Sequence, residues 1–400
     1  MDLTSPHAYW LIKNGIGEVS APMSHDEECD VLVIGAGVTG AMIADALAGR
    51  GFSVIVIDRR HPAHGSTSAS TALLQYELDT HLVELVDRLG RVRAVDAYSA
   101  CLDGVRAIGR LAGNLDADVG FQRRPSLYYP SRASDVKALR AEGAARRRAG
   151  FPCEVIGRGE VRRIVDFSPP IALWSHGSGE VDPWKLTRAL LSRSATRGGR
   201  VFGRTDATRI AGRKTHVLVQ TDRGQIRAGK VVVAAGYESE KFLPGPVARL
   251  HSTYAIVTEP VGAFNGWSKR CLIWESSRPY LYARTTPDGR IMAGGEDVPF
   301  RNPSLRDAKV AVKARKLLGK MRRLFSRIEM DIAYAWAGTF GETEDTLPYL
   351  GVHPAGDPRV FFALGYGANG MPFSGIAAEI LSAAVAGEPH RYLSTFAFDR

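Results

Sequence analysis

The stretch Asp30–Asp58 constrains this fold more than any other. It opens with a β-branched apolar run, Asp30–Ile34 (DVLVI), and turns through Gly35-Ala36-Gly37-Val38-Thr39-Gly40. The spacing predicts a helix over Val38–Arg50 that Gly51 stops, then a second run, Ser53–Ile57, ending at Asp58. Both runs are apolar throughout after their first residue, as suits strands buried on both faces of a parallel sheet. In a G-x-G-x-x-G turn so placed, Gly35 permits the tight bend and Gly37 lets the backbone approach a pyrophosphate. Gly40 lets helix and sheet pack closely, as does Ala44 one turn later. The phosphates then meet the free N–H groups and dipole of the helix N-terminus, whose first turn holds Val38 and Thr39. Asp58 stands where an acid accepts hydrogen bonds from a ribose. The segment predicts a dinucleotide-binding βαβ unit. The turn alone does not choose between FAD and NAD. Arg59 and Arg60 suit a 2′-phosphate, whereas the place of the unit near the N-terminus suits a tightly held flavin dinucleotide.

Four hundred residues exceed one average domain, so two are expected. With 45% apolar and 24% charged residues, the chain is neither disordered, collagen-like nor a coiled coil. Residues 1–28 read as an irregular lead-in, with Tyr9, Trp10, Leu11 and Ile12 docking on the body. Helical spacing follows over 71–114, a strand over Arg123–Pro130 and an exposed charged helix over Ser134–Ala149. Asp182 and Pro183 read as N-cap and N1 of a helix to Arg197. Lys214–Arg227 alternates like a hairpin, and Lys230–Ala235 is a buried strand ending at Gly236. Residues 250–300 are rich in strand formers. Lys309–Ile328 is an amphipathic helix whose basic outer face reads as solvated, and a last helix covers Ile376–Ala386.

Cys29, Cys101, Cys153 and Cys271 are scattered and form no CxxC pair, so buried inert thiols are expected and no metal site is predicted. The net charge of +10 comes mostly from arginines spread along the whole chain, which argues against a dedicated nucleic-acid surface. No apolar run is long enough to span a membrane, and the N-terminus lacks the pattern of a secretory signal. A cytoplasmic protein is the expectation.

Further motifs follow the fingerprint in order. Gly65-Ser66-Thr67-Ser68-Ala69-Ser70-Thr71-Ala72 offers small hydroxyl residues and free N–H groups to an anion. Lys230–Gly236 (KVVVAAG), Trp336-Ala337-Gly338, Asp345–Gly351 (DTLPYLG) and Gly365-Tyr366-Gly367-Ala368-Asn369-Gly370 come later. Together these identify residues 29–390 as similar to the D-amino-acid oxidase superfamily of flavoproteins, which includes glycine, sarcosine and dimethylglycine oxidoreductases. The resemblance implies an α/β plus β fold. A Rossmann-like (GR2-type) FAD domain would draw on 29–115, 183–249 and 336–400. A substrate domain with an antiparallel sheet would draw on most of 116–182 and on 250–335. It further implies that Ser66, Thr67, Ser68 and Ala72 wrap the pyrophosphate. Ala234, Ala235 and Gly236 would lie against the FAD, with Thr205–Ala207 at its adenine edge. Gly365, Gly367, Ala368, Asn369 and Gly370 would lie beside the flavin ring, where a helix dipole favours its reduced form, and Gly338 and Met371 would also bind the cofactor. Asp58 replaces the glutamate more common in the family. Ala69 stands where some members carry a flavin-linking histidine, and Cys271 is the last cysteine, so FAD is expected to be non-covalent.

The implied activity is oxidation of a small amine or amino acid by hydride transfer to flavin, with dioxygen or another acceptor taking the electrons. On the substrate side, strand alternation puts Tyr280, Tyr282 and Arg284 on one face. The resemblance makes Arg284 the fork for a substrate carboxylate, with Arg278 competing. Asn369 is a candidate for flavin or substrate contact. Gln75, Tyr76, Glu77, His251 and Tyr254 are candidates to edge the pocket. Three rival functions fit the same sequence: a 2-hydroxy acid or glycerol-phosphate dehydrogenase, a flavin-dependent RNA modifier, and a non-catalytic flavin scaffold.

Overall fold

The computed structural model describes residues 2–15, 17 and 19–400. Its centre is the parallel core that the fingerprint requires. Glu27–Ile34 lies between Gly224–Val233 and Val54–Ile57, parallel to both. Val360–Leu364 and Arg200–Phe202 extend the sheet in parallel, and Tyr349–Val352 closes one edge antiparallel. The alternation of these strands fills two cores. Val31, Val33, Val54, Val56 and Val232 point to one face, against the helices Val38–Gly49, Arg91–Gly113, Pro183–Thr196 and Gly370–Ala386. Leu32, Ile34, Ile55, Ile57, Val231 and Val233 point to the other, which the hairpin arm Ala207–Gly212 and Val217–Thr221 helps to cover. Asp182 caps its helix as its position implies, accepting the N–H groups of Trp184 and Lys185 at 3.1 and 3.0 Å.

A second, nine-stranded sheet runs Ile332–Glu342, Arg249–Thr258, Ile291–Pro299, Leu281–Thr285, Leu272–Glu275, Gln122–Tyr129, Ile171–Glu180, Leu73–Leu74, with Cys153–Gly157 also on Ile171–Glu180. Its pairings are antiparallel except one: Leu272–Glu275 runs parallel to Gln122–Tyr129. The long intervening chain supplies the crossover that a parallel pair needs. The helix Val310–Leu324 packs on one face through Ala314, Leu317 and Met321. Its basic side is not wholly solvated, since Lys313 and Lys320 reach Glu296 at 3.2 and 2.8 Å. The other face carries Trp274, Tyr282, Arg284 and Trp336 towards the first sheet and the N-terminal helix Tyr9–Asn14. Tyr9 and Trp10 are buried there, whereas Ile12 is exposed.

Two sequence boundaries fall inside elements. The first parallel strand starts at Glu27, ahead of residue 29, and the strand Ile332–Glu342 carries the second sheet past residue 335. Leu73–Leu74 joins the second sheet from within 29–115. The helix Val136–Arg148, read as exposed, buries Glu142 and Arg146 fully, because each charge meets the other at 2.6 Å. All four cysteines are buried and free. No helix among the described residues is long and apolar enough to cross a membrane.

Candidate active site

A cavity of about 280 Å³ opens where the parallel strands end against the second sheet. On the dinucleotide side, Gly35, Gly37, Val38, Thr39, Asp58 and Arg59 line it. The Asp58 carboxylate accepts the N–H groups of Ala36 and Arg60, each at 2.8 Å, so it braces the glycine turn from the neighbouring strand. Burial raises its pKa, and those two N–H groups pull it back. Arg59 and Arg60 both pair with Glu238, and Lys241 pairs with Asp206 at 2.9 Å. Thr205–Ala207 and Ala234–Gly236 also line this end. Gly40 does not. A Cβ there would lie 1.8 Å from the Gly35 carbonyl oxygen, so this glycine serves the packing of helix on turn.

The segment Gly65–Leu73 forms the next wall, with Ser66, Thr67 and Ala72 among the lining residues. The Thr67 hydroxyl accepts the Val38 N–H at 2.9 Å, joining the segment to the glycine turn. Ser68 turns away and donates to the Gly65 carbonyl at 2.8 Å, holding the one-turn helix Ser66–Ala69. Three donors grip the carbonyls of this wall from behind. Trp336 donates to Ala69 at 2.9 Å, Trp10 to Ser70 at 2.7 Å and Arg284 to Ala72 at 2.7 Å. Ala72 is held at φ +51, a conformation costly for a residue with a Cβ.

Opposite stand Gly338 on the strand Ile332–Glu342 and the turn Gly365, Gly367, Ala368, Asn369, Gly370 and Met371. Gly365 and Gly367 take φ +79 and +57, which favours glycine. Asn369 ties the turn down, donating to the backbone carbonyls of Gln75 and Glu77 at 3.2 and 2.9 Å. Gly370 then starts the buried helix Gly370–Ala386.

The far end of the cavity is built on the second sheet. Tyr280 and Tyr282 line it as strand parity implies, together with Gln75 and Glu77. Asp79, Thr253, Trp274 and Asp297 complete it, and sequence reasoning missed these four. The sequence signal for Asp297 is a pair of acids, Glu296 and Asp297, directly after the glycine pair Gly294-Gly295. The Tyr280 hydroxyl donates to Asp79 at 3.0 Å. Tyr282 lies on Gly294, where a Cβ would come within 2.3 Å of its ring. Burial, and then the Asp79 carboxylate, push Asp297 up to about 6. Burial also raises Asp79, which Arg278 and the Tyr280 hydroxyl oppose.

Arg284 corrects the sequence reading. It shares the face of Tyr282 but sits one pleat, about 7 Å, further along the strand. That step carries it past the cavity, where it is 1% exposed and bonds the carbonyls of Ala72 and Val181. Arg278 is exposed outside the lining residues. It donates to the Asp79 carbonyl at 2.7 Å and stands 4.8 Å over the Tyr280 ring. Tyr76 is buried against Phe151, His251 stacks on Phe340, and Tyr254 belongs to the core under the helix Val310–Leu324. None of the three lines the cavity.

This arrangement fits an FAD. A Cβ at Gly236 or Gly367, both lining residues, would meet no atom within 4 Å, so backbone faces open space there. At Gly37 it would stand 3.1 Å from the Thr67 hydroxyl, in the gap between turn and wall, where the absence of a side chain leaves room for a pyrophosphate to approach the backbone. The chain is 25% identical to γ-glutamylputrescine oxidoreductase of Escherichia coli over 376 residues, covering 91% of this chain and 85% of that protein. It is 25% identical to glycine oxidase of Geobacillus kaustophilus over 369 residues, covering 86% and 89%. The crystal structure of the Geobacillus kaustophilus glycine oxidase superposes with a TM-score of 0.81 at 20% identity, covering 94% of this chain and 99% of that one. The model of the family FAD dependent oxidoreductase (DAO) matches residues 30–384, nearly the whole of the cavity-forming body, and the chain belongs to that family.

Proposed function

We propose that the protein oxidises a C–N bond of a small amine or amino acid. The observation that carries this reading is the continuity of one cavity, from the glycine turn at Gly35 to the polar and aromatic pocket of Asp79, Trp274, Tyr280, Tyr282 and Asp297. The similarity to an oxidoreductase and an oxidase named for nitrogen compounds supports it. In the proposed assignment, the turn Gly35–Thr39 and the wall Ser66–Ala72 receive the pyrophosphate, and Asp58 receives the ribose. The turn Gly365–Met371 borders the flavin ring. Residues 29–115, 183–249 and 336–400 act mainly as the cofactor body and 116–182 with 250–335 as the substrate body. Bound FAD supplies a two-electron acceptor: a hydride leaves carbon, a proton leaves nitrogen, and water turns the C=N product into a carbonyl compound and an amine or ammonia. The chain's own part is to orient the donor carbon, exclude water and hold the amine in its neutral form.

Ala69 offers no linking atom, and Cys271 is fully buried in the core of the second sheet, away from the cavity. The FAD is therefore read as non-covalent, and unfolding should release it into the soluble fraction. The acids of the far pocket oppose an anionic 2-hydroxy acid, so the amine reading is preferred over that rival. The test is anaerobic titration of the purified yellow protein with pooled amines, amino acids and 2-hydroxy acids. Bleaching of the flavin band by an amine pool is expected. Bleaching by hydroxy acids alone would reject the proposal.

A further inference from the structure

Charge is divided along the cavity. The basic residues that line it, Arg59, Arg60 and Lys241, stand at the dinucleotide end beside Glu238 and Asp206. The far end is lined by Glu77, Asp79 and Asp297, and among the described residues no lysine, arginine or histidine lines it. Two of these acids hold an oxygen unused. Glu77 is 3% exposed and its Oε1 has no hydrogen-bond partner; the buried Oδ1 of Asp297 has none either. A buried acceptor left without a donor keeps its desolvation penalty unrepaid, the more so when charged. Of the nearby cations, Lys313 bonds Glu296, Arg146 bonds Glu142 and keeps its Nη1 without a partner, and the exposed Arg278 reaches only the Asp79 backbone carbonyl, so among the described residues no cation forms an ion pair with the Asp79 or Asp297 carboxylate. Aromatic rings line the same end, with Trp274 and Tyr280 6.3 Å apart and Tyr280 and Tyr282 5.7 Å apart, and such rings attract cations. An α-carboxylate entering here meets like charge, and the buried Arg284 cannot receive it.

We propose that the substrate carries a second positive charge besides the amine that is oxidised: a diamine or polyamine whose distal ammonium docks against Asp79 and Asp297. This rests on the amine-oxidising reading above. The test uses the holoenzyme under anaerobic conditions with 1,4-diaminobutane, butylamine and glycine. Each is followed by flavin reduction and by the perturbation of the oxidised flavin spectrum that reports binding. The diamine should bind at least about tenfold tighter than butylamine, the scale of one desolvated charge pair. In Asp297→Asn, and separately in Asp79→Asn, that preference should fall towards one. FAD content and melting temperature identify a variant that has not folded, and the other variant then decides. Tighter binding of glycine or butylamine than of the diamine overturns the dication proposal while the amine reading stands. Reduction by a 2-hydroxy acid and by none of the amines overturns both. If nothing reduces the flavin, a spectral response to the diamine that either variant abolishes still supports the site, and no response overturns it.

Discussion

Arg284 donates to the carbonyls of Ala72 and Val181, and its Nε lies 4.0 Å from Glu180, which is fully buried. Removing the guanidinium leaves two carbonyls unpaired and takes a cation from beside a buried acid. Arg284→Met should therefore cost about 3–5 kcal/mol, the usual result of breaking a buried charged contact from one side. The loss should show in the urea midpoint and in FAD bound per chain. A carboxylate-binding arginine would show it instead in the affinity for amino acids. The sequence made this residue legible only in part. Parity of the strand gives the face, and the face is right, but parity does not say where along the strand a cavity ends. Asp297 is the converse case, invisible in sequence and central in space. Its carboxyl is pushed up from 3.8 to about 6, by burial first and then by Asp79, with Thr253, Lys313 and Arg278 opposing. A carboxyl raised by folding binds its proton more tightly in the native state, so this acid weakens the fold as pH rises from 3.8 through about 6. Asp297→Asn should then stabilise the substrate-free protein at pH 8 by about 2–3 kcal/mol, at about 1.4 kcal/mol per pH unit. That gain should shrink as pH falls below 6. A melting-temperature difference that is flat with pH would show that the carboxyl titrates as it does in the unfolded chain.

Two glycines of one turn serve different elements. Gly40 touches the Gly35 carbonyl where helix crosses strand, so any side chain there drives the helix Val38–Gly49 off the sheet. Gly37 has only the Thr67 hydroxyl within reach, at 3.1 Å, and lines the cavity. Gly40→Ala should yield little folded protein. Gly37→Ala should fold and melt near the parent without FAD, yet bind FAD at least about tenfold more weakly, since the methyl takes the space of a backbone–phosphate contact. Fluorescence titration of the apoprotein separates the two. The sequence disclosed this βαβ unit because its elements are consecutive and buried on both faces. It disclosed less where an element is completed from afar. The helix Leu82–Leu89 has no side-chain cap of its own. The N–H groups of Leu82 and Val83 donate to Glu142 at 2.8 and 3.0 Å, from a helix some sixty residues later. Glu142 reads as a solvated charge because nothing local says that it caps a neighbour. The parallel joint between Gln122–Tyr129 and Leu272–Glu275 is hidden for the same reason: its partners share no local pattern.

At the scale of the whole molecule, the N-terminal segment runs along one wall of the cavity. Ser5 bonds Ala337 and Thr339 donates to the Leu3 carbonyl at 2.9 Å, so residues 3–5 run beside the strand that carries Gly338. Leu3 itself lines the cavity. Tyr9 and Lys13 reach Asp288 in the turn between the strands Leu281–Thr285 and Ile291–Pro299, and Trp10 donates to Ser70 in the wall of the cavity. The lead-in that the sequence presents as irregular is thus a strap from the second sheet to the wall of the cavity; its docking was legible from Tyr9 and Trp10, its purpose was not. Trp10→Ala should cost about 3–5 kcal/mol, as for other large aromatic side chains taken from a core. Ile12→Ala, on the exposed side, should change stability by no more than about 0.5 kcal/mol. If Trp10 only filled space, apoprotein and FAD-bound protein would lose the same amount. It also fixes the Ser70 carbonyl in the wall proposed to receive FAD, and a ligand stabilises a fold by its affinity for the native state alone. The loss should then be larger with FAD bound than without, and FAD should dissociate faster. Equal shifts in the two melting curves would reduce the strap to packing and detach it from the cofactor.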